Sequence, residues 1–146
     1  MTHQTLVFLG GTCGNNKWRE SFTAELVRRG FPGNGIFNPV VPDWTPEAQL
    51  AEDRAKDEAW MNLFYIADPR QESSPVSVYS IVEAVMGLYD SPDRTLVVFD
   101  LTGISGHVLK ALQKTYADLK KRFPSRAIFD NRGDALDFLL QGLAHR

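Results

Sequence analysis

The sequence predicts an α/β fold built on one doubly wound, five-stranded parallel sheet. Short apolar runs of strand length alternate five times with longer segments of helical periodicity. No low-complexity segment, internal repeat or linker interrupts this alternation. Because the chain has 146 residues, the usual size of one domain, we expect a single domain over residues 1–146.

Each predicted element has its own local signal. The first strand, 5–10, is a buried run that ends in glycines, and the helix after it stops at Gly30. Thr45 as N-cap and Pro46 at the first helical position start a helix over 45–61. The other strands are predicted at 35–39, 62–67, 95–100 and 126–130, and the other helices around Glu83, at 106–122 and at 133–144.

The helix around Glu83 has two unlike sides. Its large apolar residues recur at steps of three and four and are predicted to form the buried face, which comprises Val78, Ile81, Val82, Val85, Met86 and Tyr89. Glu83 lies on the other side, in a row of small residues formed by Ser77, Ser80, Ala84 and Gly87. We expect that row to be open to close approach by a ligand or a second chain.

The predicted topology brings Glu83 to the edge of the sheet where ligands bind. Right-handed crossovers place the carboxyl ends of all parallel strands at one edge. The common order for five strands is 2-1-3-4-5, the flavodoxin-like order, whose crevice lies between the ends of strands one and three. The loops 10–16 and 68–77 meet there, and Glu83 follows the second within two helical turns. The positive end of the helix dipole therefore favours an ionised, nucleophilic carboxylate.

Other polar and aromatic residues are predicted beside this crevice. On the helix before strand three, Arg54, Asp57 and Trp60 share one stripe. A surface pair of Arg54 and Asp57, with Trp60 in the core, is the structural alternative. The loop after strand two contributes Asn38, Asp43 and Trp44, which could also serve only to shape that loop.

Four short motifs, taken in order, resemble the nucleoside 2-deoxyribosyltransferase family. They are FLGGTCG followed by a tryptophan, NPVVPDW, a Q, D and W before strand three, and S.....E after it. The resemblance covers roughly residues 5–100 and extends to the nucleoside 2-deoxyribosyltransferase-like branch and the deoxynucleoside 5'-monophosphate N-glycosidases. The chain departs from the family pattern at Tyr79 and Ile81, where small residues are frequent, and at Ala84-Val85, where Leu-Gly is frequent.

The resemblance implies an enzyme that cleaves or transfers at an N-glycosidic bond, without a cofactor. Glu83 matches the family nucleophile, which forms a glycosyl-enzyme ester with retention. Asp57, three residues before Trp60, matches the aspartate that handles the base and its proton, and Ser77 matches the serine of the nucleotide hydrolases. The complete set of expected substrate contacts is Gly10, Gly11, Thr12, Asn15, Trp18, Asn38, Asp43, Trp44, Trp60, Ser77 and Ser80.

Composition narrows the classes of partner. With 16 basic and 18 acidic residues and no basic run beyond 120–122, we expect neither nucleic acid nor an anionic membrane as a partner. No leader pattern or apolar run of about 18 residues is present, so a cytoplasmic location is expected. The single Cys13 and the spacing of the three histidines predict no disulfide and no metal site. The family resemblance implies a homodimer or higher homo-oligomer.

Three alternatives remain open. The first is a non-catalytic nucleotide-binding or interaction module on the same fold, in which Tyr79 and Ile81 narrow the pocket. The second is a phosphoacceptor receiver domain with Asp68 after strand three, although the chain lacks the acidic pair after strand one and the lysine after strand five. The third is a thiol enzyme that uses Cys13 with His107.

Overall fold

The computed structural model describes residues 4–71 and 78–146 of the chain. In these residues the strands are β1 (Val7–Gly11), β2 (Ile36–Phe37), β3 (Met61–Ala67), β4 (Thr95–Asp100) and β5 (Ala127–Phe129). The α-helices are α1 (Trp18–Arg28), α2 (Pro46–Glu58), α3 (Val78–Asp90), α4 (Gly106–Arg122) and α5 (Arg132–Ala144). Short 3-10 turns precede β2 at Gly33–Gly35 and β4 at Pro92–Arg94.

The sheet order is β2-β1-β3-β4-β5, and every neighbouring pair is parallel. This confirms the predicted fold class and the predicted order. Gly11 at the end of β1 pairs with Tyr65, and Ala67 at the end of β3 pairs with Asp100. The carboxyl ends of the central strands therefore meet at one edge, as a doubly wound sheet requires.

Local sequence signals located most element boundaries. β4 and α4 have the predicted bounds, and the Thr45 hydroxyl caps α2 by accepting a hydrogen bond of 3.1 Å from the Ala48 amide. Helix α2 ends at Glu58, earlier than the predicted 61. The reason is that Ala59 adopts an extended backbone and Met61 already pairs with β1.

Helices cover both faces of the sheet. On one face, α1 and α5 pack a core that includes Trp18, Phe22, Leu26, Leu136 and Leu139. On the other face, α3 and α4 enclose Phe64, Ile66, Ala84, Leu88, Leu112 and Leu119, and Ala55 of α2 packs beside Phe8. No helix among the described residues combines the length and apolar character needed to cross a bilayer.

The prediction for the buried face of α3 is wrong. Val78, Val82, Met86 and Tyr89 are between 48% and 65% exposed, and only Ile81 and Val85 of the predicted stripe are partly buried. The side that faces the sheet contains Ser80, Ala84 and Leu88.

The small residues of α3 explain this orientation. An added Cβ at Gly87 would lie 2.6 Å from the Thr95 hydroxyl, so only a glycine allows the helix to approach β4 this closely. Because Ser80, Ala84 and Gly87 of that row pack toward the sheet, the bulky residues turn outward. Glu83 lies at the margin of the packed side, with its side chain 18% exposed.

Candidate active site

A cavity of about 360 Å³ lies at the carboxyl end of β1, between α2, α3 and the loop after β2. We call it the Glu83 pocket. Its lining combines glycine backbone, aromatic and aliphatic side chains, and a small group of charged residues. The lining residues are Phe8, Gly10, Gly11, Cys13, Arg19, Pro39, Val40, Val41, Trp44, Glu52, Lys56, Tyr79, Ser80 and Glu83.

The charged group consists of Glu83, Lys56 and Glu52. The Lys56 ammonium donates to Glu83 Oε2 at 3.0 Å and lies 3.3 Å from Glu52 Oε1. Because both carboxylate oxygens contact the same nitrogen, they lie within about 6 Å of each other, a spacing compatible with the carboxylate pair of a retaining glycosidase. All three side chains are less than one-third exposed, so water screens them only in part.

The environment of Lys56 favours its charged form. Partial burial acts to lower the pKa of Lys56, but the hydrogen bond and negative charge of Glu83, together with Glu52, outweigh burial and raise that pKa above its ordinary value. The Phe8 ring lies 5.3 Å from the ammonium and adds a cation–π contact. Lys56 therefore remains a cation at neutral pH.

Arg94 fixes the end of α2 that presents Lys56. Its guanidinium donates to the carbonyls of Lys56 and Asp57 at 2.9 Å and to that of Ala59 at 3.1 Å. These are among the carbonyls that a helix C-terminus leaves without intrahelical partners. The contact joins α2 to the turn before β4 and so holds the ammonium in register with α3.

The floor of the pocket is bare backbone at the end of β1. Gly11 has a φ of +125°, and an added Cβ there would lie 2.2 Å from the Tyr65 carbonyl oxygen. A side chain is therefore excluded by both conformation and space. Gly10 and Gly11 line the pocket without side chains, which leaves room for a ligand beside Glu83.

Arg19 anchors the loop after β1 from beneath. It is 7% exposed and donates to the carbonyls of Leu9 at 3.0 Å, Gly11 at 3.1 Å and Thr12 at 2.8 Å. Burial lowers the pKa of Arg19, although Cys13 and Glu52 oppose this shift. This buried cation adds positive potential to the same pocket.

A family model described as nucleoside 2-deoxyribosyltransferase like matches residues 4–101. The chain belongs to this family. The predicted family is thereby confirmed, and the match includes every residue that lines the Glu83 pocket. No individual curated protein matches the chain at a significant level. Membership points to a nucleoside or nucleotide as the ligand.

Several contacts expected from the family resemblance do lie together. Gly10, Gly11, Trp44, Ser80 and Glu83 all line the Glu83 pocket. Trp44 is 58% exposed, so its ring is available to a ligand. Ser80, in the first turn of α3, is buried. Ser77 lies outside the described residues.

Asp57 and Trp60, the pair expected to handle the base, are placed elsewhere. Asp57 is exposed and lines a separate groove together with Arg54. Trp60 packs against the core on the α1 and α5 face, where its ring reaches Gly142. The structure therefore does not bring Asp57 into the Glu83 pocket, because the side of α2 that bears Glu52 and Lys56 faces the pocket and Asp57 lies on another side of the helix.

The remaining expected contacts have structural partners. Trp18 is 1% exposed, stacks on Tyr65 with ring centroids 4.3 Å apart, and donates to the Thr12 carbonyl. The Thr12 hydroxyl donates to the Ala67 carbonyl and accepts from the Ala67 backbone N–H. The side-chain amide of Asn15 donates to the Arg70 carbonyl. The Asn38 side chain accepts from the Val40 amide, and Asp43 is exposed.

Lys56, Glu52 and Arg19 were missed by sequence reasoning. The i, i+4 spacing of Glu52 and Lys56 is a recognisable helical ion pair, but it usually marks a solvated face. Arg19 follows a core tryptophan and carries no sign of burial in the sequence. Among the described residues, no cluster of three His, Cys, Asp or Glu side chains is arranged to hold a metal ion.

Proposed function

We propose that the protein cleaves the N-glycosidic bond of a nucleoside, a 2'-deoxynucleoside or the corresponding 5'-monophosphate through a covalent glutamyl intermediate. The supporting observation is the position of Glu83 in a nucleoside-sized pocket, paired with Lys56 and next to Glu52. The Glu83 carboxylate is partly shielded from water and lines an open cavity. The chain itself belongs to a family of nucleoside deoxyribosyltransferases.

In the first step, a Glu83 carboxylate oxygen attacks C1' of the sugar. The C1'–O bond forms while the C1'–N bond breaks, and the bonding electron pair leaves with the base. The departing base nitrogen takes a proton. In the second step, water or a second base attacks C1' of the ester and releases Glu83, which gives hydrolysis or transfer with overall retention.

The Lys56 ammonium is our candidate for the proton donor. Lys56 is a cation at neutral pH and contacts both Glu52 and Glu83, so it can give its proton to a base anion that develops beside Glu83. The neutral amine can then accept a proton from the attacking water or base in the second step. Asp57 remains the donor predicted from the family resemblance, and its exposure on a separate groove argues against that role.

The walls of the pocket are suited to the base and the sugar. Trp44 and Tyr79 are both exposed aromatic residues at its rim and can stack on a planar base. Gly10 and Gly11 allow the sugar to approach the backbone, and the buried charge of Arg19 favours an anionic 5' group.

We also propose that the exposed side of α3 is covered by a second copy of this chain. Val78, Val82, Met86 and Tyr89 form an apolar surface of the kind that monomers seldom leave open. Tyr79 continues this surface to the rim of the Glu83 pocket, so a second copy seated here would border the site. Light scattering of wild type and Met86→Glu tests this, because a charge in the interface would lower the molar mass.

The function is tested by release of free base from a panel of nucleosides, 2'-deoxynucleosides and their 5'-monophosphates. We expect wild type to release base and Glu83→Gln to lose at least about three orders of magnitude in rate while it remains folded. Glu47→Gln, an exposed glutamate of the separate groove, is the matched control.

Variants of the two candidate donors are compared in the same assay. The proposal predicts a large rate loss in Lys56→Met and a small one in Asp57→Asn. The opposite result would identify Asp57 as the proton donor. Ligand binding without turnover of any substrate would instead support the non-catalytic binding module.

A further inference from the structure

A second cavity lies on the opposite face of the sheet from the Glu83 pocket. It has a volume of about 230 Å³ and shares no lining residue with the Glu83 pocket. Residues at the start of α1, at the start of α5 and after β3 and β4 surround it. Those used here are Lys17, Ser21, Arg70, Asp100, Thr102 and Arg132, and we call the cavity the Arg132 pocket.

The charges of the Arg132 pocket are unbalanced. Lys17, Arg70 and Arg132 contribute three cations, and Asp100 contributes one carboxylate. Within residues 4–71 and 78–146, neither Lys17 nor Arg70 has a carboxylate within ion-pair distance. Glu25, which pairs with Arg132 from outside the lining, offsets one more of these cations, so the cavity keeps an excess of one positive charge that an anion could neutralise.

A hydrogen-bond network fixes the base of the pocket. The Tyr65 hydroxyl donates to Asp100 Oδ2 at 2.6 Å and accepts from Arg132 Nε at 3.2 Å. Arg132 Nη1 donates to Ser21 Oγ at 2.8 Å and lies 3.4 Å from Glu25 Oε1. Asp100 is thus already engaged, so it opposes an incoming anion less than an unpaired carboxylate would.

The backbone that carries Arg70 is held in an uncommon conformation. Arg70 has a φ of +54°, which costs a residue with a side chain roughly 1 kcal/mol or more. Asp68 Oδ1 accepts from the Arg70 amide at 2.9 Å, and the Pro69 carbonyl accepts from the Asn15 amide at 2.8 Å. These bonds lock the loops after β1 and β3 into one unit, which fixes where the Arg70 side chain leaves the backbone.

We propose that the Arg132 pocket binds the phosphoryl group of a small phosphorylated anion. The Arg70 guanidinium, the Lys17 ammonium and the Nη2 group of Arg132, whose Nε and Nη1 are already engaged, can donate to the several oxygens of a phosphate. The volume is large enough for this group with a few further atoms and too small for a whole nucleotide beside it. At the N-terminus of α1 the Lys17 side chain forms no cap, and the positive end of the helix dipole favours an anion there.

The test is calorimetric titration of the full chain at fixed ionic strength with two probes, orthophosphate and glycerol 3-phosphate. Binding of both identifies a site for the phosphoryl group itself, and binding of the ester alone identifies a site for a phosphorylated metabolite. We expect the double variant Lys17→Gln/Arg70→Gln to weaken binding by about tenfold or more. These two side chains are suitable because, within residues 4–71 and 78–146, neither forms an ion pair whose loss would disturb the fold.

Two controls make the result decisive. Lys110→Gln/Lys114→Gln makes the same change in net charge on exposed positions of α4 and should bind as wild type does. Lys56→Met alters the Glu83 pocket and should also leave phosphate binding unchanged. The proposal is overturned if neither probe binds, if both double variants weaken binding equally, or if Lys56→Met abolishes it.

Discussion

Replacing Lys56 with methionine removes the ammonium that lies between Glu52 and Glu83. Methionine has nearly the same helix propensity as lysine and a similar length, so α2 itself should be little affected. The two carboxylates then face each other without a cation. We expect a loss of stability at neutral pH that depends on charge rather than on packing.

The magnitude follows from the geometry. Two unit charges about 6 Å apart repel by about 3 kcal/mol at an effective dielectric constant of about 20. Partial exposure of these side chains, 18% for each glutamate, allows solvent to screen part of that energy. We therefore expect Lys56→Met to lower the free energy of unfolding by about 1 to 2 kcal/mol at pH 7.

Urea unfolding at pH 7 in low and in high salt separates the charge effect from packing. At high ionic strength the repulsion between the two carboxylates is screened more strongly, so the difference from wild type should shrink. Adding Glu52→Gln to Lys56→Met should recover stability at pH 7. Lys114→Met, in a pair whose side chains are 79% and 65% exposed, is the matched control and should cost about 0.5 kcal/mol or less.

An equal loss at both salt concentrations would refute this reasoning. It would mean that the lysine stem acts by packing on Phe8 rather than by neutralising the carboxylates. A further loss of stability on adding Glu52→Gln would refute it as well.

Further predictions concern the strand ends and the pocket rim. Burial and the hydrogen bond to Asp100 raise the pKa of Tyr65 to about 12, and Arg132 opposes this shift. The protonated Tyr65 hydroxyl therefore stabilises the fold below pH 10, and this contribution disappears as the pH rises toward 12. Wild type should therefore lose about 2 kcal/mol of its free energy of unfolding between pH 9 and pH 12, and Tyr65→Phe should not show this loss. The same pH dependence of urea unfolding in both proteins would contradict this. Gly11→Ala should cost at least about 3 kcal/mol, whereas Gly30→Ala, with a φ of +101° and open space around it, should cost about 1 kcal/mol; equal melting temperatures would contradict the close approach at Gly11. Trp44→Ala should change stability by less than about 0.5 kcal/mol and raise KM for a nucleoside about tenfold. An unchanged KM would show that the Trp44 ring does not contact the base.

The order of the strands and the edge that carries the site follow from the sequence. The alternation of short apolar runs and helical segments, with right-handed crossovers, leaves few topologies for five parallel strands, and the predicted order is the observed one. Local chemistry also fixed the start of α2, because the Thr45 cap and Pro46 act within a single turn. The choice of Glu83 as candidate nucleophile likewise came from its position on the helix after strand three and from the order of short motifs along the chain.

The orientation of α3 required the tertiary structure. Its bulky residues have the periodicity of a buried face, but close packing against β4 favours the small side of the helix, as the contact of Gly87 with Thr95 demonstrates. Periodicity detects which residues share a side and does not determine which side is closer to the sheet.

The partners of Glu83 were also decided by the tertiary structure. Lys56 and Glu83 are 27 residues apart on different helices, and the orientation of α2 about its own axis determines which side of α2 faces the pocket. The contact of Arg94 with the end of α2, which joins parts of the chain 35 to 38 residues apart, helps to hold that orientation. The sequence determined which edge and which carboxylate form the candidate site, and only long-range packing decided that Lys56, rather than Asp57, lies beside that carboxylate.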